Sequence, residues 1–176
     1  MKDPMSRHNW DELTHVMRNM LQCSKEFLRD FTKRCQEIDN LLIDISTEKE
    51  MLNWLPPVRE PVIRVDALGD GHFGAPRGYR LHRGTDYIVT PGDPVFMTLK
   101  GAKVKRVTRP YADYDELTGV VVVNEHCLNV LYYVTPIEDL IGKGVPQGEV
   151  IGYAQDVRVK YGPKMLPHIH SEKYIK

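Results

Sequence analysis

The stretches His82-Arg83-Gly84-Thr85-Asp86 and His168-Ile169-His170 decide how this chain reads. Together they offer three histidines and a carboxylate. A catalytic zinc site needs three protein ligands and one open position. On a strand, residues two apart point to the same face. His168 and His170 are therefore expected to look into one cleft, with Ile169 packed into the core behind. Gly84 is expected to let the backbone turn between His82 and Asp86. The spacing alone is a modest signal, because both patterns also occur on ordinary surfaces. The context strengthens it. Tyr87-Ile88-Val89 reads as a strand, and Pro91-Gly92-Asp93-Pro94-Val95 as a turn into another.

Working outward, residues 69–176 resemble the lysostaphin/LytM-type zinc metallopeptidase domain, a family that cuts peptide crosslinks of bacterial cell walls. The resemblance rests on His82-x-Gly84-x-Asp86, the Pro91-to-Val95 turn, Gly142 through Gly148 leading into Val150-Ile151-Gly152, and the closing His168-Ile169-His170. The run Gly71-His72-Phe73-Gly74-Ala75-Pro76-Arg77 is similar to a branch of bacterial and phage proteins related to the vertebrate leukocyte-cell-derived chemotaxin. The resemblance implies an antiparallel, mainly β domain in which His82, Asp86 and His170 hold Zn2+ and His168 is a catalytic histidine that does not coordinate. The family usually carries a second non-ligand histidine. Its place falls on Tyr133 when counted back from Gly148. A phenol, with a pKa near 10, is no substitute for a histidine base, but it can donate a hydrogen bond to an oxyanion. Two functions stay open at this point. One is a zinc-dependent endopeptidase acting on peptidoglycan peptides, with His168 and Tyr133 as catalytic residues. The other is a zinc-holding recognition module, for example a virion or assembly component.

Composition sets bounds on both. A chain of 176 residues with 41% hydrophobic and 27% charged residues is the size of one globular domain plus an extension. The formal charge is zero, so no basic bias points to nucleic acid. Cys23, Cys35 and Cys127 are odd in number and widely spaced, which argues against a disulfide framework or a structural zinc knuckle. They read as small buried or half-buried thiols. Met1-Lys2-Asp3-Pro4-Met5 carries no apolar core of signal-peptide type, and Met5 is a second candidate start. No window reaches the roughly 20 apolar residues of a membrane span. The expectation is a protein made in the cytoplasm or carried in a virion that acts on the cell wall.

The first 55 residues differ from the rest. No glycine precedes Gly69, and apolar residues recur at Trp10, Leu13, Met17, Met20, Phe27, Phe31, Ile38, Leu41 and Ile45. These steps of three and four make a seven-residue repeat, polar at Ser24 and Arg34 and widened by Leu21, Leu28, Cys35 and Leu42. Asn9 with Glu12 reads as a capping box, and Thr47 with Glu50 as the cap of a short second helix ending at Trp54. Breaks are expected only at Asp39-Asn40 and Ser46-Thr47. Residues 1–55 are thus a long helix or a helical hairpin, with self-association as a coiled coil the expected use of its stripe. Residues 56–68, beginning Pro56-Pro57-Val58, read as a stiff, extended linker, with Val62-Ile63-Arg64-Val65 inside them a candidate first strand of the sheet.

Three loops stay open to more than one role. His72 is either a fourth ligand, a substrate contact, or a histidine bonded within its own loop. The connection Arg109 to Glu116 either walls the cleft or is a surface excursion. His126, at a hairpin tip, reads as a surface histidine.

Overall fold

The computed structural model describes the backbone of residues 7–176 and the side chains of residues 12–43, 45 and 53–176. Met5 lies outside the described residues, and the side chains of Trp10 and Asn9 are likewise outside them. The chain divides into two compact units, residues 1–48 and 49–176.

The first unit is helical. α1 runs without interruption over Arg7–Leu52. The expected capping box and breaks are not where the helix ends. Asn9 lies inside the first turn, and Asp39-Asn40 and Ser46-Thr47 continue the helix, as does Glu50. The sequence holds no glycine or proline here to stop it, and the polar residues that compete with helix are accommodated. Ser24 Oγ and Thr32 Oγ1 each donate to the carbonyl four residues back, at 2.8 Å, and so leave the ladder intact. Asp30 and Arg34 pair along the helix at 3.0 Å.

The second unit is antiparallel β. In chain order its strands are β1 (Val65–Asp66), β2 (Gly69–Asp70), β3 (Pro76–Arg77), β4 (Arg80–Leu81), β5 (Thr85–Ile88), β6 (Pro94–Phe96), β7 (Lys103–Thr108), β8 (Gly119–Val123), β9 (Cys127–Tyr132), β10 (Val134–Pro136), β11 (Val150–Ala154) and β12 (His168–Ile175). A short helix, α2 (Arg158–Tyr161), lies between the last two strands. Five strands form a sheet in the order β5-β12-β9-β8-β7, and three form another in the order β10-β11-β6. β1 with β2 and β3 with β4 make two small ladders in the glycine-rich stretch before the first histidine motif.

β-branched residues on the five-stranded sheet meet apolar residues of the three-stranded one. Val104, Val120, Val122, Leu131 and Ile169 share one core cluster with Val95, Val134 and Ile151. A second, smaller cluster gathers Leu117, Tyr133, Val157 and Met165. β12 is an inner strand, flanked by β5 and β9. That position fixes the register of the closing histidines against the first motif, with His170 opposite Asp86 and His168 opposite Ile88.

Residues 56–68 are not the extended linker expected: they bend over residues 57–60 and turn at residues 67–68, and they pack onto the β unit instead of spanning free. Val58 is in the core, Phe96 N–H donates to Pro57 O, and Ile63 bridges Tyr87. Ile88 N–H donates to Val62 O and Arg64 N–H to Asp86 O. β5 is the outer strand of its sheet, and this segment satisfies backbone groups along its open edge.

Candidate metal centre

β5 and β12 bring the two histidine motifs together. Asp86 and His170 are opposite each other in the ladder, and Asp86 Oδ1 lies 2.7 Å from His170 Nδ1. His82 Nε2 is 3.0 Å from His170 Nδ1 and 3.2 Å from Asp86 Oδ1. These three residues are the one group among those described whose ligand atoms could hold a metal ion, all lying within 4.8 Å of one another. The chain bends at Gly84, and close approach is what requires a glycine there. A Cβ there would lie 2.5 Å from Ser171 O and 2.8 Å from the His170 ring, and its backbone φ is not left-handed. Gly71 is similarly placed, where a Cβ would meet Asp86 Cβ at 2.7 Å.

Each ligand candidate has its other polar atom engaged elsewhere. His82 Nδ1 lies 2.9 Å from His72 O. With its proton on Nδ1 donated to that carbonyl, His82 presents the Nε2 lone pair inward. His170 Nε2 is 3.1 Å from Glu172 Oε1. Asp86 Oδ2 accepts from Arg64 Nε at 3.2 Å and from a terminal Arg64 nitrogen at 3.0 Å, which leaves Oδ1 to the site. Arg64 also pairs with Asp66 at 2.6 Å and is itself buried. Outer partners of this kind orient ligands.

His168 sits beside the triad without joining it. Its Nδ1 lies 2.7 Å from Leu166 O, and its Nε2 is 3.8 Å from Asp86 Oδ1, beyond hydrogen-bond range. His168 and His170 both line the cleft, while Ile169 is fully buried in the core. The Tyr133 ring meets the His168 ring edge-on with centroids 5.2 Å apart. Tyr133 is buried and has φ of 66°. That backbone is uncommon for a bulky residue, and such strain tends to sit at functional sites. It falls at the joint where the chain leaves β9 for β10, and the N–H groups of Tyr133 and Val134 both donate to Thr118 O.

Charge follows from these contacts. Burial is the largest single influence on Asp86 and by itself raises its pKa. The hydrogen bonds from His170 and His82 and the neighbouring imidazoles outweigh it and hold the carboxyl far below its ordinary range. Burial pushes His168 down and favours its neutral form, only partly opposed by Asp86. Burial also pushes His170 down, but its bonds to Asp86 and Glu172 prevail and raise it. Burial and the bond to Tyr111 keep the Tyr133 phenol protonated far above its usual value.

The remaining expectations fall out unevenly. The His72 ring is exposed, and the residue serves the site through its carbonyl. The Arg109-to-Glu116 connection does wall the cleft. Tyr111 lines it, with its hydroxyl 2.7 Å from that of Tyr133, and Tyr161 of α2 bonds Tyr111 in turn. Lys160 stands over the rings of Tyr111 and Tyr114. His126 is exposed at its hairpin tip. Cys127 is buried, but Cys23 and Cys35 are exposed on α1 rather than half-buried. Sequence reasoning missed Arg64, Glu172, Tyr111 and Tyr161. Glu172 could have been found, since it lies two residues beyond His170 on the same strand face. The others are brought in by tertiary structure alone.

No family model matches the chain. Over 110 residues it is 28% identical to leukocyte cell-derived chemotaxin-2 of Bos taurus, an alignment covering 61% of this chain and 69% of that one. In structure it is similar to the antimicrobial peptidase lysostaphin from Staphylococcus simulans, with TM-score 0.45, 19% identity, and coverage of 60% of this chain and 41% of that. A zinc containing peptidase from Vibrio cholerae gives TM-score 0.45 and 25% identity, with coverage of 69% and 37%. The catalytic domain of the prophage-encoded M23 protein EnpA from Enterococcus faecalis gives TM-score 0.44 and 19% identity, with coverage of 66% and 82%. The chain spans less than half the length of the lysostaphin and Vibrio chains. No helix among the described residues is long and apolar enough to cross a membrane.

Proposed function

We propose that the β unit is a zinc-dependent endopeptidase that hydrolyses peptide bonds of bacterial cell-wall peptidoglycan. The observation that carries this reading is the division of labour within one strand. His170 converges with His82 and Asp86, whereas His168, two residues earlier, faces the same cleft 3.8 Å from Asp86 and is held off by its bond to Leu166 O. A purely structural metal site has no use for that additional buried imidazole.

Two imidazoles and one carboxylate suit zinc, and three protein ligands leave a position open. The outer bonds of His82 to a carbonyl, His170 to Glu172 and Asp86 to Arg64 are of the type that supports such ligands. A zinc ion bound there supplies Lewis acidity, polarising a scissile carbonyl and making water a nucleophile near neutral pH. The chain's own groups do the rest. His168 carries its proton on Nδ1, fixed by Leu166 O, so Nε2 is free to accept a proton from water. Its lowered pKa keeps that nitrogen unprotonated at neutral pH. Tyr133 remains protonated and donates to the oxygen on which negative charge develops. Tyr111, bonded to the Tyr133 hydroxyl and to Tyr161, orients that phenol.

The second reading, a zinc-holding recognition module, is favoured by Tyr133 itself, which stands where a second histidine is expected. The two are separated by adding purified peptidoglycan to the protein before chelation, after chelation, and after zinc is restored. Amino termini that appear, stop and return with the metal support the peptidase. Stoichiometric zinc with no new termini supports the module. α1 takes no part in this chemistry, and we infer that its exposed stripe serves self-association.

A further inference from the structure

α1 is continuous across the whole seven-residue repeat, and the apolar members Leu13, Met17, Met20, Phe27, Phe31, Ile38, Leu41 and Ile45 are all exposed. A stripe of this extent left in water calls for a covering partner. We propose that α1 pairs antiparallel with α1 of a second copy of this chain, in the register centred on Arg29. This rests on the self-association reading above and adds its direction and register.

The polar interruptions carry the argument. In this register Leu13 faces Ile45, Met17 faces Leu41, Met20 faces Ile38 and Phe27 faces Phe31. The remaining layer sets Ser24 against Arg34, so between Leu13 and Ile45 the two polar members of the repeat meet each other and every apolar member meets an apolar one, while Trp10 falls opposite Glu48 at the end of the seam. A slip of one heptad either way leaves end layers unmatched and puts Arg34 against Met17 or Phe31. Parallel pairing in register stacks Arg34 on Arg34, two like charges in an otherwise apolar seam.

The flanks give a second, independent reason. One flank of the stripe is apolar, with Leu21, Leu28, Cys35 and Leu42, and the other is mixed, with Val16, Cys23, Asp30, Glu37 and Asp44. Antiparallel helices set each flank against its own copy. Leu28 then meets Leu28 of the partner helix and Leu21 meets Cys35, so the apolar surface continues out of the seam. On the other side Cys23 meets Glu37, Val16 meets Asp44, and the Asp30 carboxylates face each other, each already bound to Arg34 of its own helix at 3.0 Å, so the preference given by the flanks rests on the apolar continuation through Leu28, Leu21 and Cys35. Parallel helices would set unlike flanks together, with Asp30 opposite Cys35 and Glu37 opposite Leu42. That arrangement leaves carboxylates against apolar side chains.

The test uses the full chain with Cys23→Ser and Cys35→Ser, carrying either Leu28→Cys or Leu41→Cys. Native mass is measured first, and mild oxidation follows at low protein concentration. The expected result is twice the chain mass for both variants and rapid disulfide dimerisation of Leu28→Cys alone. Leu41 would be opposite Met17 of the partner, and its copy would lie about 36 Å along the axis, at about 1.5 Å per residue. Crosslinking of Leu41→Cys without Leu28→Cys would overturn the antiparallel register while leaving self-association standing. Single-chain mass in the unmodified protein at micromolar concentration would overturn both.

Discussion

Asp86 and His170 are directly opposite one another on β5 and β12, and their facing atoms, Oδ1 and Nδ1, are 2.7 Å apart. Two residues separated by 84 positions in sequence are therefore placed by backbone pairing, not by side-chain reach. Metal binding should follow that placement. Metal analysis is expected to find about one zinc per chain, lost in His170→Ala and kept in His168→Ala. Equal loss from both variants would contradict the division between ligand and non-ligand.

The buried guanidinium behind Asp86 has its own consequence. Arg64 and Asp86 are both almost fully buried and paired at 3.0 Å. Removing one member of such a pair leaves an uncompensated charge and typically costs about 3–5 kcal/mol. Arg64→Met should lower unfolding stability by that order in a denaturant titration. Zinc affinity should fall about 10- to 100-fold, as for other outer partners of metal ligands. Unchanged affinity in a folded Arg64→Met protein would remove Arg64 from the account of the site.

Acid should loosen the same corner of the fold. Asp66 is half-buried, which taken alone favours its neutral form, but the bond from Arg64 and the N–H groups of Leu166 and Leu68 outweigh this and lower its pKa. A carboxylate with a folded pKa below its unfolded value contributes stability that is present above the unfolded value, about 3.9, and lost as pH falls through the folded one. Asp66→Asn should therefore be less stable than wild type at pH 7, with the gap closing below about pH 4. A gap that stays constant across that window would show that the effect is packing and not charge.

Tyr133 should affect the reaction more than substrate binding. If its phenol stabilises charge that appears only in the transition state, Tyr133→Phe lowers kcat by about 10²-fold with little change in KM, as expected for the loss of an oxyanion donor worth about 3 kcal/mol. Tyr133→His would restore a second imidazole. Full activity in Tyr133→Phe would assign the donor role elsewhere, with Tyr111 the nearest hydroxyl, 2.7 Å away.

Much of this arrangement was legible in the sequence because it depends on short-range rules. The period of two places His168 and His170 on one face and Ile169 on the other. The run without glycine or proline reads as helix, although whether it runs on or folds back as a hairpin stays open in the sequence, and the breaks expected at Asp39-Asn40 and Ser46-Thr47 are absent. What could not be read depends on long-range pairing. Residues 56–68 look like a linker because of their prolines, yet the open edge of β5 draws them in. Arg64 reaches Asp86 only through that docking, and Tyr111 and Tyr161 reach Tyr133 only through the packing of a loop and α2. Gly84 reads as a turn residue, and the neighbours that demand a glycine there are Ser171 O and the ring of His170.

The central claim is that these residues together break a cell-wall peptide bond. The direct test is mass spectrometry of purified peptidoglycan after incubation with the zinc-loaded full chain, alongside His168→Ala protein shown to carry the same amount of zinc. The account predicts peptide fragments with new amino termini from the wild-type protein and a loss of about 10²- to 10⁴-fold in their rate of release with His168→Ala, the usual contribution of a general acid–base group. Intact peptidoglycan after incubation with fully zinc-loaded wild-type protein would contradict it.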